Sequence, residues 1–511
     1  MDSVHAEHHD GGTGPRSGGV LLVLAGPLLG ASLWLLLGWL TPEVPEGGRR
    51  VAGLLAWMAA WWILEVVPLG VTALLPLVLL PMFGVLGVKD AAAPYAERTI
   101  FLFMGGFVLA LAMERWHLHR RIALAIMWHV GSSPRRLVLG VMLATAALSM
   151  WVSNTATTLM LMPIALGIAG MVESGSRESG GRCGFGVAMV LGVAYAASIG
   201  GLGTPIGSPP NAVLTSYLDR AHAHSIGFGN WMLAGIPFVL VFIPVAWAYL
   251  VFVACPVRSV GDGRGRAYIA QERAALGRIS AGERGAIVCF ALTVGGWVLR
   301  EPAISLLESG GFAGAAGWLK ANVDDAAIAM IGAILTFVVP ADRERRQAVM
   351  GFDGLRRVPW EILLLFGGGL SLAAGVQASG LDKAMGGALR ALGDVPEWTL
   401  VLVCTSLSVF VSEFTSNVAQ ANVFYPVIGP GAAAAGMDPL TLLFPSCFAL
   451  SCAFMLPMGT PPNAIAFATG RVSMRRFAAT GLGLNLIGIA LIMLLTLTVL
   501  PHVPGLRIAG P

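Results

Sequence analysis

Apolar segments long enough to cross a lipid bilayer recur along this chain and limit the folds open to it. A spanning helix needs about 20 predominantly apolar residues, and lipid offers its backbone no other partner. Only 12% of the 511 residues are charged, against about 25% in a typical soluble domain. We therefore predict an all-α polytopic membrane protein. Its eleven predicted spans lie near residues 20–40, 51–67, 71–88, 100–115, 187–205, 232–254, 285–299, 327–340, 361–378, 441–458 and 481–500.

Two further apolar stretches, 137–170 and 399–430, are too polar in the middle to cross the membrane simply. The first contains MWVSNTATTLMLMPIAL, from Met150 to Leu166, whose first half is rich in hydroxyl and amide side chains. Non-helical backbone at membrane depth is tolerated only where protein or a water-filled cavity covers it. We predict that each stretch enters the membrane and turns back as a re-entrant hairpin.

Matching segments divide the chain into two homologous halves, roughly 50–255 and 285–500. Each half holds five predicted spans, so the second copy is inverted relative to the first, as in many secondary transporters. The matches are Ser153-Asn154-Thr155 with Ser416-Asn417-Val418, FLFMGG (101–106) with LLFGGG (364–369) and Ser149 with Ser412, all at an offset of 263, and GSPPNAV (207–213) with GTPPNAI (459–465) at an offset of 252.

The distribution of basic residues indicates the orientation. With a cytoplasmic N-terminus, the inner segments hold 22 Lys and Arg residues and the outer segments 10, which agrees with the excess of positive charge in cytoplasmic loops. We predict that 256–284 is a cytoplasmic loop. A formal net charge of only +4 gives no indication of a nucleic-acid partner.

The repeated motifs carry groups that can bind both an anion and a cation. A hairpin tip exposes the amide groups of a helix N-terminus, which can hold a carboxylate, and Ser, Asn and Thr cap such ends. Hydroxyl and carbonyl oxygens can hold a small hard cation such as Na⁺. In the Pro-Pro-Asn motif, two prolines break the helix and free carbonyls, which Asn211 and Asn463 can brace.

Other interpretations of single motifs remain open. One Ser-Asn-Thr in a membrane helix is usually an interhelical hydrogen bond, and one Pro-Pro-Asn is usually a kink; finding both twice favours a site. Glu413 is a functional candidate as an intramembrane acid, although capping or pairing within the hairpin explains it more simply. Gln420 and Asn422 are amides near the second tip, with helix packing as the simpler explanation.

These segments resemble the divalent anion:sodium symporter family, which includes the INDY-type dicarboxylate transporters. The likeness covers nearly the whole chain after residue 50. It lies in WWILEVVPLGVTALLPLVLLP (61–81), SMWVSNTATT (149–158), SIGGLGTPIGSPPNAV (198–213), PWEILLLFGGGLSLA (359–373), SEFTSNVAQANVF (412–424) and MLPMGTPPNAI (455–465).

The resemblance implies a homodimer in which a scaffold domain holds a transport domain that moves like an elevator. The corresponding division is a disordered tail at 1–19, an extra helix and connector at 20–49, scaffold helices at 50–133, a hairpin and broken helix at 134–255, the cytoplasmic loop at 256–284, scaffold helices at 285–397, a second hairpin and broken helix at 398–500, and a tail at 501–511.

The resemblance also implies roles for individual residues. The first sodium site comprises Ser149, Ser153, Asn154 and the Gly207 carbonyl, with Gly203-Thr204 as the competing choice, and the second comprises Ser412, Thr415, Asn417 and the Gly459 carbonyl. The substrate ligands are Ser153, Asn154, Thr155, Ser208, Pro209, Ser416, Asn417, Val418, Thr460 and Pro461. Val418 departs from the first motif because it cannot offer the hydroxyl that Thr155 has.

We therefore predict a multi-pass plasma (inner) membrane protein that transports a C4-dicarboxylate with sodium, surrounded by lipid and without other cofactors. A sodium-independent exchanger, a citrate or sulfate transporter and an anion channel remain alternatives. An enzyme is not expected, because the motifs contain no nucleophile–base pair, HExxH or paired catalytic aspartates.

Overall fold

The computed structural model describes residues 20–173, 184–257, 264–342, 347–384, 395–434, 436–503 and 506. The predicted tail at 1–19 and most of the one at 501–511 lie outside these residues. The helices with both ends described are α1 (Val20–Leu40), α2 (Glu46–Leu64), α3 (Leu69–Thr72), α4 (Leu75–Met82), α5 (Val88–Ala92), α6 (Arg98–Arg115), α7 (Leu118–Val130), α8 (Pro134–Ser149), α9 (Asn154–Glu173), α10 (Phe185–Gly200), α11 (Pro209–His222), α12 (Phe228–Ala248), α13 (Arg264–Ala275), α14 (Ala281–Ser309), α15 (Ala313–Asn322), α16 (Asp325–Val338), α17 (Asp353–Arg356), α18 (Trp360–Ala378), α19 (Glu397–Ser412), α20 (Asn417–Ala434), α21 (Leu440–Leu450), α22 (Pro461–Ala468) and α23 (Met474–Thr498).

Short elements complete the described structure. A π-helical turn, Tyr249–Ala254, extends α12, and 3-10 turns cover Ala93–Ala96, Gly201–Gly203 and Leu500–His502. Two short strands, Pro340–Asp342 and Gln347–Ala348, pair antiparallel. The predicted all-α architecture is confirmed.

Eight helices among the described residues are long and apolar enough to cross a membrane. Seven of them overlap predicted spans, and the eighth, Asn154–Glu173, is the second arm of the predicted first hairpin. A ninth span results if the pair α15 and α16, bent by 74°, is counted as one. The eight are Leu21–Leu40, Val88–Arg115, Asn154–Glu173, Phe185–Gly203, Phe228–Ala254, Ala281–Ser309, Trp360–Ala378 and Met474–His502.

The other predicted spans differ from simple helices for identifiable reasons. The segment 51–67 belongs to α2, which opens with the charged residues Glu46, Arg49 and Arg50. The segment 71–88 is broken between α3 and α4, where Pro76 lies in the first turn of the new helix. The segment 441–458 is helical only as far as Leu450. Length and composition therefore support fewer uninterrupted spans than the eleven predicted.

The two halves are joined by contacts that follow the sequence repeat. Helix α6 of the first half packs against α16 of the second half. Correspondingly, α18 of the second half packs against α3 of the first half. Glycines allow both approaches: a Cβ on Gly105 would lie 2.7 Å from the Ala329 carbonyl oxygen, and one on Gly368 would overlap the Ala73 carbonyl oxygen. Gly105 and Gly368 occupy equivalent positions, 263 residues apart. Each half therefore uses the equivalent glycine to pack closely against the backbone of the other half.

Candidate functional site

The first predicted hairpin consists of α8 and α9, joined by residues 150–153. Ser149 ends α8 and is buried, whereas Asn154 begins α9 and is half-buried. The Ser153 hydroxyl accepts a hydrogen bond from the Ala156 amide at 3.3 Å, as an N-cap does. We call α8, this turn and α9 the first hairpin; its tip presents the N-terminus of α9.

The first broken helix consists of α10, the segment 201–208 and α11. Pro209 and Pro210 open α11 and have no N–H to donate, which suits the first helical turn. Asn211 braces the preceding loop, since its amide nitrogen donates to the carbonyls of Gly201 at 3.0 Å and Thr204 at 2.9 Å. The whole segment 201–208 is buried, so its irregular backbone is covered by protein, as membrane depth requires.

The first tip and the first broken helix meet at Asn154. One terminal atom of its amide lies 2.6 Å from Ser149 Oγ, 3.1 Å from the Ala197 carbonyl oxygen and 3.2 Å from the Gly207 carbonyl oxygen. Both carbonyl oxygens only accept hydrogen bonds, so the amide nitrogen can satisfy both from this position. Ser149 also donates to the Ala197 carbonyl at 2.7 Å. Three of the predicted ligands, Ser149, Asn154 and Gly207, are thus brought together.

The alternative first-site glycine, Gly203, has different surroundings. A Cβ on Gly203 would lie 2.8 Å from the Met150 side chain, whereas one on Gly207 would lie 2.5 Å from the Gly201 carbonyl oxygen. Thr204 is occupied as well: its hydroxyl donates to the Met150 carbonyl. Between the two glycines, Gly207 is the one whose carbonyl faces Asn154.

The second broken helix, α21, residues 451–460 and α22, repeats the bracing of the first. Asn463 donates to the carbonyls of Ala453 at 2.8 Å and Leu456 at 3.1 Å. These partners precede Asn463 by 10 and 7 residues, the separations found for Asn211. The two loops are therefore structural repeats, in agreement with the sequence offset of 252. Thr460 caps α22 by accepting from the Asn463 amide at 3.4 Å.

The second hairpin, α19, residues 413–416 and α20, departs from the first at its tip. Its predicted ligands Ser412 and Thr415 donate to the carbonyls of Val409 at 2.8 Å and Val411 at 3.1 Å, within their own arm. The Asn417 amide oxygen is buried and has no hydrogen-bond partner among the described residues. Ser416, Asn417 and Val418 are half-buried, like their counterparts in the first tip.

Glu413 fastens the second tip to elements outside the hairpin. Its carboxyl oxygens accept from the backbone amides of Met455 at 2.9 Å and Leu456 at 2.8 Å, and from the side chain of Asn485 at 2.7 Å. The prediction that the Glu413 side chain caps or pairs within the hairpin is therefore wrong. Asn485 lies in α23 and also accepts from the Phe454 amide at 3.1 Å. Sequence reasoning missed Asn485, although a lone Asn in an apolar run is a recognisable signal.

The other two amides of the second hairpin bond locally. Gln420 donates to the Ser408 carbonyl at 3.4 Å, and Asn422 donates to the Val418 carbonyl at 3.0 Å. A Cβ on Gly369 would overlap the Asn422 amide oxygen, so Asn422 is packed against α18. These contacts support the packing interpretation.

The two sets of elements interlock. The second arm of each hairpin packs against the broken helix of the other half: α20 against α11, and α9 against α22. Ser208 Oγ and Ser451 Oγ lie 3.1 Å apart, and the Tyr425 hydroxyl donates to the Pro210 carbonyl at 3.3 Å. Of the predicted substrate ligands on the broken helices, Ser208 and Thr460 are buried, Pro209 is half-buried and Pro461 is exposed.

Comparison with known proteins identifies the family of this chain. The family model described as the sodium:sulfate symporter transmembrane region matches residues 32–501. The chain belongs to this family. The resemblance to the divalent anion:sodium symporters is confirmed. Members are secondary transporters rather than enzymes, and the multi-pass membrane prediction is also confirmed.

Curated relatives and solved structures agree with the family. The sodium-dependent dicarboxylate transporter SdcS of Staphylococcus saprophyticus is 37% identical over 494 residues, covering 96% of this chain and 93% of the relative. That of Staphylococcus aureus is 38% identical over 502 residues, covering 97% and 94%. The fold resembles the YdaH transporter of Alcanivorax borkumensis, with a TM-score of 0.55, 16% identity and 85% and 90% coverage. It also resembles MtrF of Neisseria gonorrhoeae, with a TM-score of 0.55 and 13% identity; the match covers 80% of this chain and 82% of MtrF.

Proposed function

We propose that this protein couples the transport of a C4-dicarboxylate, such as succinate, malate or fumarate, to sodium. The observation that carries the proposal is the convergence of oxygen atoms on the Asn154 amide. Two relatives that align over nearly the whole chain bear the name sodium-dependent dicarboxylate transporter, which supports both the ion and the substrate class.

The first sodium ion is assigned to Ser149, Ser153, Asn154 and the Gly207 carbonyl. With the Asn154 amide oxygen rather than its nitrogen on this side, that oxygen lies beside Ser149 Oγ, the Ala197 carbonyl and the Gly207 carbonyl. A set of uncharged oxygen donors around one point suits a hard monovalent cation, by the same preference that serves Ca²⁺. Ala197 extends the set that the sequence predicted.

The second sodium ion is assigned to Ser412, Thr415, Asn417 and the Gly459 carbonyl. The unpartnered amide oxygen of Asn417 is available for a cation. A Cβ on Gly459 would lie 3.0 Å from a Glu413 carboxyl oxygen, so a negative charge at Glu413 would favour a cation beside Gly459.

The substrate is assigned to the two tips and the facing ends of the broken helices: Ser153, Asn154, Thr155, Ser416, Asn417, Val418, Ser208, Pro209, Thr460 and Pro461. None of these residues is Arg or Lys. The carboxylates would therefore rely on helix N-terminal amides, hydroxyls and the charge of the sodium ions. Bound sodium would lower the cost of desolvating a dianion, so each ligand should raise the affinity for the other.

For the movement that carries the substrate across, we propose the elevator mechanism in a homodimer. Residues 50–133 and 285–397 form the scaffold, and residues 134–255 and 398–500 form the moving part. The interlocking of each hairpin with the opposite broken helix supports their movement as one unit.

Reconstituted uptake tests the function. Radiolabelled succinate uptake into proteoliposomes should require an inward sodium gradient, saturate, and be inhibited by malate and fumarate more strongly than by citrate or sulfate. Sodium-independent counterflow would indicate an exchanger. Stronger inhibition by citrate or sulfate would change the substrate, and non-saturable flux without counterflow would indicate a channel.

A further inference from the structure

Two short helices lie where several spanning helices end, at one face of the membrane. Helix α7 begins just after the span Val88–Arg115, and α13 lies between the spans Phe228–Ala254 and Ala281–Ser309. The two helices pack against each other. Neither belongs to the candidate transport site, so their surface calls for a separate explanation.

This face is strongly basic. The described segments 114–136 and 264–284 contain ten arginines and only three acidic residues, Glu114, Glu272 and Glu283. An excess of positive charge marks the cytoplasmic side of a membrane protein, where the leaflet carries anionic lipids.

Between α7 and α13 lies a cavity of about 500 Å³, which we call the α7–α13 cavity. Arg121, Ala125 and Trp128 line it from α7, at positions i, i+4 and i+7 of one helical face. Ala270, Arg273 and Ala274 line it from α13. The alanine side chains are too short to fill the space between the helices, and the indole of Trp128 provides an apolar wall.

Two cations packed on Trp128 keep their hydrogen-bond donors available: Arg273 lines the α7–α13 cavity, and Arg266 contacts the same ring. The guanidinium carbons of Arg266 and Arg273 lie 4.5 Å and 5.0 Å from the centre of the Trp128 ring. Neither forms an ion pair with any carboxylate in the described part of the chain. By contrast, neighbouring Arg121 is paired with Glu283 at 2.8 Å. A cation–π contact holds a guanidinium in place without using its N–H groups.

Along the chain, the residues that line the α7–α13 cavity are followed by a strip of exposed apolar side chains. Leu276 and Gly277 line the cavity, and the chain then enters α14. Ile279, Val288 and Leu292 are 46%, 49% and 60% exposed. Phosphate donors beside a lipid-facing strip fit a molecule with a phosphate head and acyl chains, whereas a free phosphate would make no use of the strip.

We propose that the α7–α13 cavity binds the headgroup of an anionic phospholipid from the cytoplasmic leaflet. The phosphodiester group accepts hydrogen bonds from Arg266 and Arg273. The glycerol lies over the alanines, and the acyl chains follow the start of α14. The site is independent of what the protein transports.

Native mass spectrometry of the full-length protein in detergent tests this proposal. Dioleoyl phosphatidylglycerol should bind more tightly than dioleoyl phosphatidylcholine, which has the same chains. Each arginine near an anionic headgroup changes binding about 5-fold, so the double variant Arg266→Gln/Arg273→Gln should bind phosphatidylglycerol about 30-fold more weakly. The matched control is Arg475→Gln/Arg476→Gln, which removes two arginines at the start of α23 and should change binding less than about 2-fold.

A second variant separates shape from charge. Ala274→Phe fills the α7–α13 cavity, keeps all the arginines and alters an exposed position, so it should also remove the preference for phosphatidylglycerol. Equal binding of the two lipids, or equal loss in the control variant, would overturn the proposal. If millimolar inorganic phosphate displaces the lipid, or binds wild type but not the double variant, the site recognises free phosphate and the lipid assignment is wrong.

Discussion

The two hairpin tips occupy equivalent places in the two halves, but different chemistry fastens them. At the first tip, the Thr204 hydroxyl donates to the Met150 carbonyl, and the Asn154 amide lies among hydroxyl and carbonyl oxygens. At the second tip, the Glu413 carboxyl group accepts two backbone amides and the Asn485 side chain. The first tip is therefore held by neutral hydroxyl, amide and carbonyl groups, whereas the second is anchored by an acid.

This difference arises within a shared backbone framework. Asn211 and Asn463 brace their loops at the same separations along the chain. Glu413 stands where the first half has Met150, at the offset of 263. The two halves therefore share the bracing that satisfies the freed carbonyls of each broken helix, but differ in the contact that holds the loop to its hairpin.

The largest effect is expected from Glu413→Ala. Two backbone amides and the Asn485 side chain lose their acceptor in a buried position, which should cost about 3–5 kcal/mol. For a chain of this size we expect thermal unfolding in detergent about 5 °C below wild type, together with loss of reconstituted uptake. Met150→Leu, at the equivalent position, keeps the volume and the backbone carbonyl and should leave both nearly unchanged. An unfolding temperature equal to wild type in Glu413→Ala would remove the anchoring role.

The second effect separates the two asparagines. Asn154→Ala and Asn417→Ala should each abolish uptake, which a loss of about 100-fold or more would satisfy. Their binding defects should differ. Because the Asn154 amide lies beside three oxygens of the proposed first sodium site, we expect sodium to stabilise wild type there and Asn154→Ala to lose that stabilisation. Thermal unfolding with increasing sodium measures this. Full transport in both variants, with normal size-exclusion profiles, would contradict the assigned sites.

Most of the architecture could be predicted from the sequence because its signals are local. Apolar length, the Ser-Asn and Pro-Pro-Asn motifs and their repetition indicated helices, hairpins and two halves. The break at 72–75 could not be predicted, because apolar composition continues through it. The Pro-Pro-Asn motif predicted the second broken helix, but not that its first part ends as early as Leu450, since packing decides where that helix ends.

The partners of Glu413 could not be predicted for a different reason. The Met455 amide and Asn485 lie 42 and 72 residues away in sequence, so the nearest partners along the chain suggested a contact within the hairpin. The choice between Gly203 and Gly207 was also undecidable, because each glycine precedes a hydroxyl residue and a proline. Only the position of Asn154 separates them.

A smaller effect is expected at Ser149 and Ser412, each of which ends the first arm of its hairpin. Ser149 donates to the Ala197 carbonyl and touches the Asn154 amide, whereas Ser412 donates to Val409 within its own arm. Ser149→Ala should raise the sodium concentration for half-maximal uptake about 10-fold, with less change for succinate. Ser412→Ala removes the corresponding ligand of the proposed second sodium site; because its hydroxyl already donates within its own arm, we expect a smaller rise of about 3-fold. Equal shifts in both variants would mean that the two hydroxyls contribute equally to sodium binding.

The smallest effect is expected from Thr204→Val, which removes only the hydroxyl that ties the first broken helix to the first tip. One neutral hydrogen bond is worth about 1 kcal/mol, so half-maximal uptake should need about 5-fold more sodium. Thr204→Ser keeps the hydroxyl and should restore the wild-type response. A loss as large as that of Glu413→Ala would mean that a single hydroxyl holds the first tip as firmly as an acid holds the second. The contrast between the tips would then lie in their sequences and not in their strength.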